Sequence, residues 1–295
     1  MAWLAAGSKE DTEVYFDAFR GGLRDLGYQE GRNLVIDARF GDYARERAER
    51  FALELAALRP ELLVTQGGAA NQAVRLSPAI PTVFIYSGDP IAAGFATSFA
   101  RPGRHLTGVS LLSLDLVGKR IEILKELVPR LSHVAIIANP DHHGEARERD
   151  ASKAAADRLD IQVSYHPAHN PVELDAALAS AVASRAEGAV VFPDSLSVTR
   201  RAAIATFFLK NRMPSAAGWA PYADSGFLVS CGPNLLDAYR RAAYFVDRII
   251  KGAKPADLPI EMPATTDRVV NRRTAAALGL SLSSTIALRA NRVID

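Results

Sequence analysis

The sequence holds one cysteine, Cys231, which excludes an internal disulfide and any cysteine cluster for zinc. No apolar run approaches the roughly 18 residues that would suggest a membrane-spanning helix. The formal net charge is only +2, and the basic pairs Arg200-Arg201, Arg240-Arg241 and Arg272-Arg273 are scattered as solvated faces. That is a poor electrostatic footprint for nucleic acid. Enzyme motifs are missing as well: no G-x-G-x-x-G after a strand pattern, no Walker loop, no G-x-S-x-G elbow and no H-E-x-x-H. There is no short-period repeat and no low-complexity tract. Met1 to Ala6 lacks the basic start of a signal peptide and is too short for one. It reads as the tail of a first strand, as if the chain began inside its fold after removal of a leader.

What is present is ordinary globular material. The chain has 295 residues, 48% of them hydrophobic and 23% charged, enough for two domains with cores that need no metal or disulfide. The clearest stretch is Pro81 to Gly103. Thr82 to Tyr86 reads as a strand buried on both faces. Ser87-Gly88-Asp89-Pro90 breaks it, and Ile91 to Phe99 reads as a helix stopped by Arg101-Pro102-Gly103.

The same strand, turn and helix pattern recurs. The first hundred residues read as strands at Ala2 to Ala6, Asn33 to Arg39, Leu62 to Thr65 and Thr82 to Tyr86, with helices between them. The helix after Leu62 to Thr65 is expected to stop before Pro78. The pattern restarts at Val134 to Ala138 and continues through Ile161 to Tyr165, Gly188 to Phe192, Pro214 to Ala217 and Phe227 to Cys231. A helix is expected from Val198 to Asn211. Pro255 to Pro263 looks like an extended, exposed connector, and Ser281 to Asp295 has no readable pattern. The fold class is therefore α/β, with two doubly wound parallel-sheet lobes.

In such sheets ligands bind beyond the carboxyl ends of the strands. The residues at those ends are Ser8, Gln66-Gly67-Gly68-Ala69, Ser87 and Asp89, Asn139, Asp194, Trp219 and Cys231. Glycine-bearing loops ahead of helices favour an anionic group such as a carboxylate. Each also has a plain structural reading, because such loops need small polar residues in order to turn. Asp89 caps a turn or meets a ligand. Trp219 stacks on a flat ligand or packs in the core. Cys231 lines a cleft, is buried, or serves as a nucleophile. His142-His143 reads as exposed loop, since adjacent histidines rarely converge on one metal.

Several stretches together resemble the substrate-binding proteins of ABC importers, in the branch associated with tryptophan, tyrosine and related carboxylate solutes. They are Phe19 to Tyr28 with Glu30-Gly31-Arg32-Asn33, Gly88-Asp89-Pro90, Ala100 to Gly103 and Gly118-Lys119-Arg120. To these are added Leu124-Lys125-Glu126, Asn139-Pro140, Gly232-Pro233-Asn234 and Lys251 to Pro259. The resemblance implies a type I periplasmic-binding fold: two lobes joined by a hinge, residues 1–110 with 232–258 and 111–231 with 259–295, with three crossings between them, closing on a solute. It implies a small-molecule solute, no cofactor, an extracytoplasmic location, a membrane permease as partner and a monomer. Gly68 and Ala69 stand where the family has Thr and Pro, and Cys231 where it has Tyr, which implies a different solute. Two rivals remain at this point: an α/β enzyme using Cys231 or Asp89, and a ligand-sensing regulatory domain like that of lac-repressor-type proteins.

Overall fold

The computed structural model describes residues 1–73 and 80–295; the expected helix end before Pro78 lies outside the described residues. The chain divides into two compact units. Unit 1 is Met1–Leu112 with Leu235–Ala264, and unit 2 is Ser113–Asn234 with Thr265–Asp295, so the chain passes between them three times.

Unit 1 is built on a five-stranded parallel sheet in the order β2-β1-β3-β4-β5. The strands are β1 (Ala2–Ala5), β2 (Asp37–Phe40), β3 (Leu63–Gln66), β4 (Thr82–Tyr86) and β5 (Leu106–Ser110). β1, β4 and β5 are buried along their whole length, as apolar strands covered on both faces must be. The helices are α1 (Lys9–Asp25), α2 (Arg45–Ala57) and α3, described over Gly68–Ala73. A further helix, Leu235–Ile250, numbered α10 below, returns from unit 2 and packs on α1.

Unit 2 carries a seven-stranded sheet in the order β12-β11-β10-β9-β8-β6-β7. Its strands are β6 (His133–Ala138), β7 (Gln162–Pro167), β8 (Gly188–Val191), β9 (Ser215–Ala217), β10 (Val229–Pro233), β11 (Thr266–Asn271) and β12 (Arg292–Ile294). The helices are α4 (Leu114–Leu127), α5 (Glu145–Asp157), α6 (Pro171–Ala183), α7 (Ser195–Thr199), α8 (Arg201–Lys210) and α9 (Ala220–Asp224), then α10 in unit 1, α11 (Arg272–Ala277) and α12 (Ser284–Arg289). The core of this unit lies on both faces of β6 and β8. The run β7-β6-β8-β9-β10 repeats the order of unit 1 strand for strand. In each unit the order reverses beside the first strand, between β1 and β3 and between β6 and β8. Those switch points are where an open α/β sheet leaves a crevice.

Several expectations are corrected. Ile91 to Phe99 is a series of turns. Asp89 Oδ1 accepts from Ile91 N and Ala92 N, Ala93 N donates back to Asp89 O, and Gly94 then takes φ +73. A left-handed residue there ends any helix before it elongates. The expected helix Val198 to Asn211 is two helices, broken at Arg200 (φ −99, ψ 5). Unit 2 is not wholly parallel, because β10 and β11 run antiparallel. The segment 255–263 is neither free nor wholly exposed. Thr107 Oγ1 donates to Leu258 O, Glu261 N donates to Gly108 O, and Leu258 and Ile260 are buried. That strapping onto β5 carries unit 1 on to Ala264, beyond the expected break at 258/259.

Candidate functional site

The unit 1 switch point gathers the ends of β1 and β3. Ser8 caps α1: its Oγ accepts from Asp11 N at 3.1 Å and donates to Asp11 Oδ2 at 3.0 Å. Tyr43 Oη donates to the same carboxylate oxygen at 3.3 Å. Gln66 ends β3, and Gly67 follows with φ +82, its α-carbon so close to Ala6 that a β-carbon there would lie 2.8 Å from Ala6 Cβ. That contact and that φ together require glycine. Gly68 and Ala69 open α3.

Three tyrosines missed by the sequence reading complete this edge. Tyr15 and Tyr239 stack at 4.9 Å between ring centroids. The Gln66 amide bonds to the Tyr239 phenol, whose pKa burial pushes well up, and Tyr43 lies within Coulombic reach. Gln66 Oε1 is enclosed and has no hydrogen-bond partner. An enclosed acceptor without a donor costs about 1–3 kcal/mol, so it is suited to a ligand that brings one. Ser87 sits half-buried in the turn after β4. Asp89 is buried and spends Oδ1 on the turn described above. Asp89→Ala is therefore expected to lower stability by about 1 kcal/mol, like the loss of a helix cap. Urea unfolding checks it, and Asp89→Asn should recover most of the loss.

The unit 2 switch point joins the ends of β6 and β8 directly. Asn139 Nδ2 donates to Asp194 Oδ2 at 2.9 Å. Asp194 Oδ1 accepts from Ser197 N at 2.7 Å and Ser197 Oγ accepts from Asp194 N, a reciprocal cap at the start of α7. Ser197 Oγ also meets Tyr222 Oη at 2.7 Å. The cavity beneath Asn139 and Asp194 is only about 10 Å³, too small for a solute. Trp219 follows β9 half-buried, its ring 6.4 Å from Tyr222.

Cys231 is not at this edge. β10 runs to Pro233, which places Cys231 inside the strand and its side chain in the apolar cluster with Ile121 and Leu124. Burial pushes its thiol up, the reverse of what a nucleophile needs. His142 and His143 are half-buried rather than exposed, and burial lowers the His142 pKa. Among the described residues no group of three or more His, Cys, Asp or Glu is placed to hold a metal. A cavity of about 350 Å³ opens in unit 1 at Arg20, Leu23, Tyr28 and Leu34, before β2 begins, and contains none of the expected site residues.

One cluster below the unit 2 edge was not assigned a role by the sequence. Arg120 on α4 is 3% exposed; its Nε donates to Cys231 O at 3.0 Å and its Nη1 lies 3.7 Å from Glu148 Oε1 on α5. A β-carbon at Gly218 would stand 2.7 Å from Arg120 Nη2, so the guanidinium packs on the backbone where β9 ends. Burial drives the Glu148 carboxyl up to about 7, outweighing the pull of Arg120 in the other direction. The signal in the sequence was a cation on the stripe of Val117, Ile121 and Leu124.

Comparison with known proteins bears on these edges. The family described as ABC transporter substrate binding protein matches residues 9–294. A tyrosine-binding protein of Clostridioides difficile is 24% identical over 260 residues, 88% of this chain and 74% of that protein. The structure of an ABC domain in complex with L-Trp from Streptococcus pneumoniae superposes with a TM-score of 0.92 at 20% identity, covering 99% of this chain and 98% of that one. A conserved domain protein from Vibrio cholerae gives a TM-score of 0.91 at 22% identity, with the same coverage. The fold is that of these binding proteins.

Proposed function

We propose, for a chain that belongs to the family of ABC transporter substrate binding proteins, that it is a non-enzymatic receptor for an aromatic amino acid or a related carboxylate. The observation that carries this reading is the pair of equivalent switch points, one with an enclosed Gln66 Oε1 among tyrosines, the other with Asn139 bonded to Asp194. The solute's carboxylate lies against the opening N–H groups of α3 at Gly68 and Ala69. Its ring lies against Tyr15, Tyr43 or Trp219. Its ammonium meets Asp194, and Ser8, Asn139 and Ser87 complete the polar contacts. The two units close around the solute because the closed form binds it more tightly. The receptor acts as a monomer outside the cytoplasm and hands its solute to the permease of an importer.

A thermal-shift screen of the twenty amino acids and simple aromatic acids tests this. A solute at 100 times its Kd adds about 2.7 kcal/mol of stability, a shift of several degrees. L-tyrosine and L-tryptophan are the expected hits, and Asp194→Asn should reduce the shift. No shift with any of them, together with turnover of one, overturns the reading.

A further inference from the structure

We propose that Arg120 and Glu148 form a proton-responsive positioning pair beneath the unit 2 edge. With Glu148 ionised the guanidinium is held on α5; with Glu148 protonated it turns toward Asp194 and competes with the cationic end of the solute. The first half stands independently, whereas the effect on affinity rests on the receptor reading above.

Three observations carry the pair. Both side chains are buried, at 3% and 5% exposure, between α4 and α5, where α5 also buries Glu145 and Ser152. Arg120 touches three elements at once: the carbonyl of Cys231 in β10, Glu148 on α5 and the backbone of Gly218 after β9. Its Nη1 has an ion-pair distance to Glu148 but no hydrogen bond, so one buried N–H is left without an acceptor. A guanidinium with an unused donor turns toward the strongest nearby acceptor when its ionic partner is neutralised. Asp194 is the carboxylate on that side: it lies within Coulombic reach of Glu148, and its chain neighbour Pro193 packs on Gly218 beside Arg120 Nη2.

The charged groups that act on Glu148 come from three elements. Arg120 faces it from α4, Glu145 from its own helix and Asp194 from the start of α7. His142, in the turn before α5, lies within Coulombic reach of Asp194, and burial lowers its pKa, which favours the neutral ring. Tyr165 on β7 meets Glu145 and stays protonated, its pKa pushed up to about 12, and Arg149 lies 3.7 Å from Glu145. Burial likewise keeps Tyr222 and Cys231 protonated.

Trp219 reports the pair without any ligand, because it follows Gly218 directly. Trp3 is the other of the two tryptophans, so a Trp3→Phe background isolates it. Emission of Trp219 is to be titrated from roughly pH 5.5 to 8.5, the window either side of the Glu148 midpoint near 7. One step with that midpoint is expected. Glu148→Gln, which keeps the volume, should abolish the step with an unchanged far-UV spectrum. Arg120→Lys should keep a step but displace it. Isothermal titration with L-tyrosine and L-tryptophan across the same window should show affinity falling roughly tenfold toward low pH, and Glu148→Gln should hold the low-pH affinity throughout. A flat emission titration, or a step that survives Glu148→Gln, overturns the pair. A step with pH-independent affinity overturns its link to the solute. A step with no amino acid bound at any pH leaves the pair standing and overturns the receptor reading instead.

Discussion

Arg120→Met is expected to lower the unfolding free energy of unit 2 by about 3–5 kcal/mol at pH 8, the usual effect of stranding one partner of a buried ion pair. Met fills the stripe beside Val117, Ile121 and Leu124, so the loss is not a matter of volume. It comes from Glu148, which keeps its burial and its acidic neighbours Glu145 and Asp194 but loses the cation opposing them. The pH dependence separates this from a packing defect. Free Glu titrates near 4.5 and Glu148 in the native chain near 7, so between those values the native state holds the extra proton. Its contribution is present below 4.5 and is lost as pH rises through 7. Without Arg120 the native carboxyl is pushed higher still, and the loss extends above 7. The gap between wild type and Arg120→Met should therefore be small at pH 5 and widen past neutrality. Urea unfolding followed by Trp219 in the Trp3→Phe background isolates unit 2, since two units need not unfold in one step. The pair Arg120→Met with Glu148→Leu should restore stability to within about 1 kcal/mol, as apolar replacements of buried ion pairs often do. A gap that stays constant with pH, or a double variant as unstable as the single one, contradicts this account.

The strands and their carboxyl ends were legible because their cues are local. An apolar run such as Thr82 to Tyr86 followed by Ser87-Gly88 needs no knowledge of the rest of the chain. What was not legible depends on partners distant in sequence. Arg120 sits in an amphipathic helix, and nothing near it in the chain marks Glu148 as its partner on the next helix. The α5 stripe of Glu145, Glu148, Ser152 and Ala155 is polar at one end and small at the other, so no apolar periodicity exposed its buried face. Cys231 was misplaced because the strand runs two residues further than its apolar pattern, through Gly232 and Pro233. The tyrosines at the unit 1 edge come from three separate stretches, and one arrives with the helix that returns from unit 2.

One family stretch proves to be structural. In Phe19 to Asn33, Tyr28 Oη donates to Asp247 on α10 at 3.0 Å and Arg20 pairs with Glu30 at 2.9 Å. Asn33 closes the loop, donating from Nδ2 to Gly27 O and accepting at Oδ1 from Gln29 N. This stretch ties the returning helix to α1 and so lets a discontinuous unit hold together. Sequence likeness carried the family, while the polar contacts at the two switch points had to come from the fold.

Trp3→Ala is expected to cost about 3–5 kcal/mol, the range for truncating a large buried aromatic residue. Trp3 is fully buried on β1 between Phe16 at 4.7 Å and Phe19 at 4.9 Å, with Tyr239 at 6.4 Å. Its Nε1 has no hydrogen-bond partner, and such a group is costly to bury. Trp3→Phe removes that unmatched donor along with part of the ring, so the two effects oppose and the loss should stay below about 1.5 kcal/mol. The same geometry links stability to binding. Tyr239 is the shared neighbour: it borders Trp3, stacks on Tyr15 and bonds to the Gln66 amide. A cavity behind Tyr239 lets it relax away from Gln66, whose Oε1 is the enclosed acceptor at that edge. Trp3→Ala should therefore weaken L-tyrosine binding by roughly tenfold or more even under conditions where unit 1 is fully folded, a change of about 1.4 kcal/mol. Trp3→Phe should leave binding near wild type. Chemical unfolding and calorimetric titration of the two variants together decide it. If both bind as the wild type does, Tyr239 does not transmit packing to the edge, and the aromatic side of the solute must be sought at Trp219 instead.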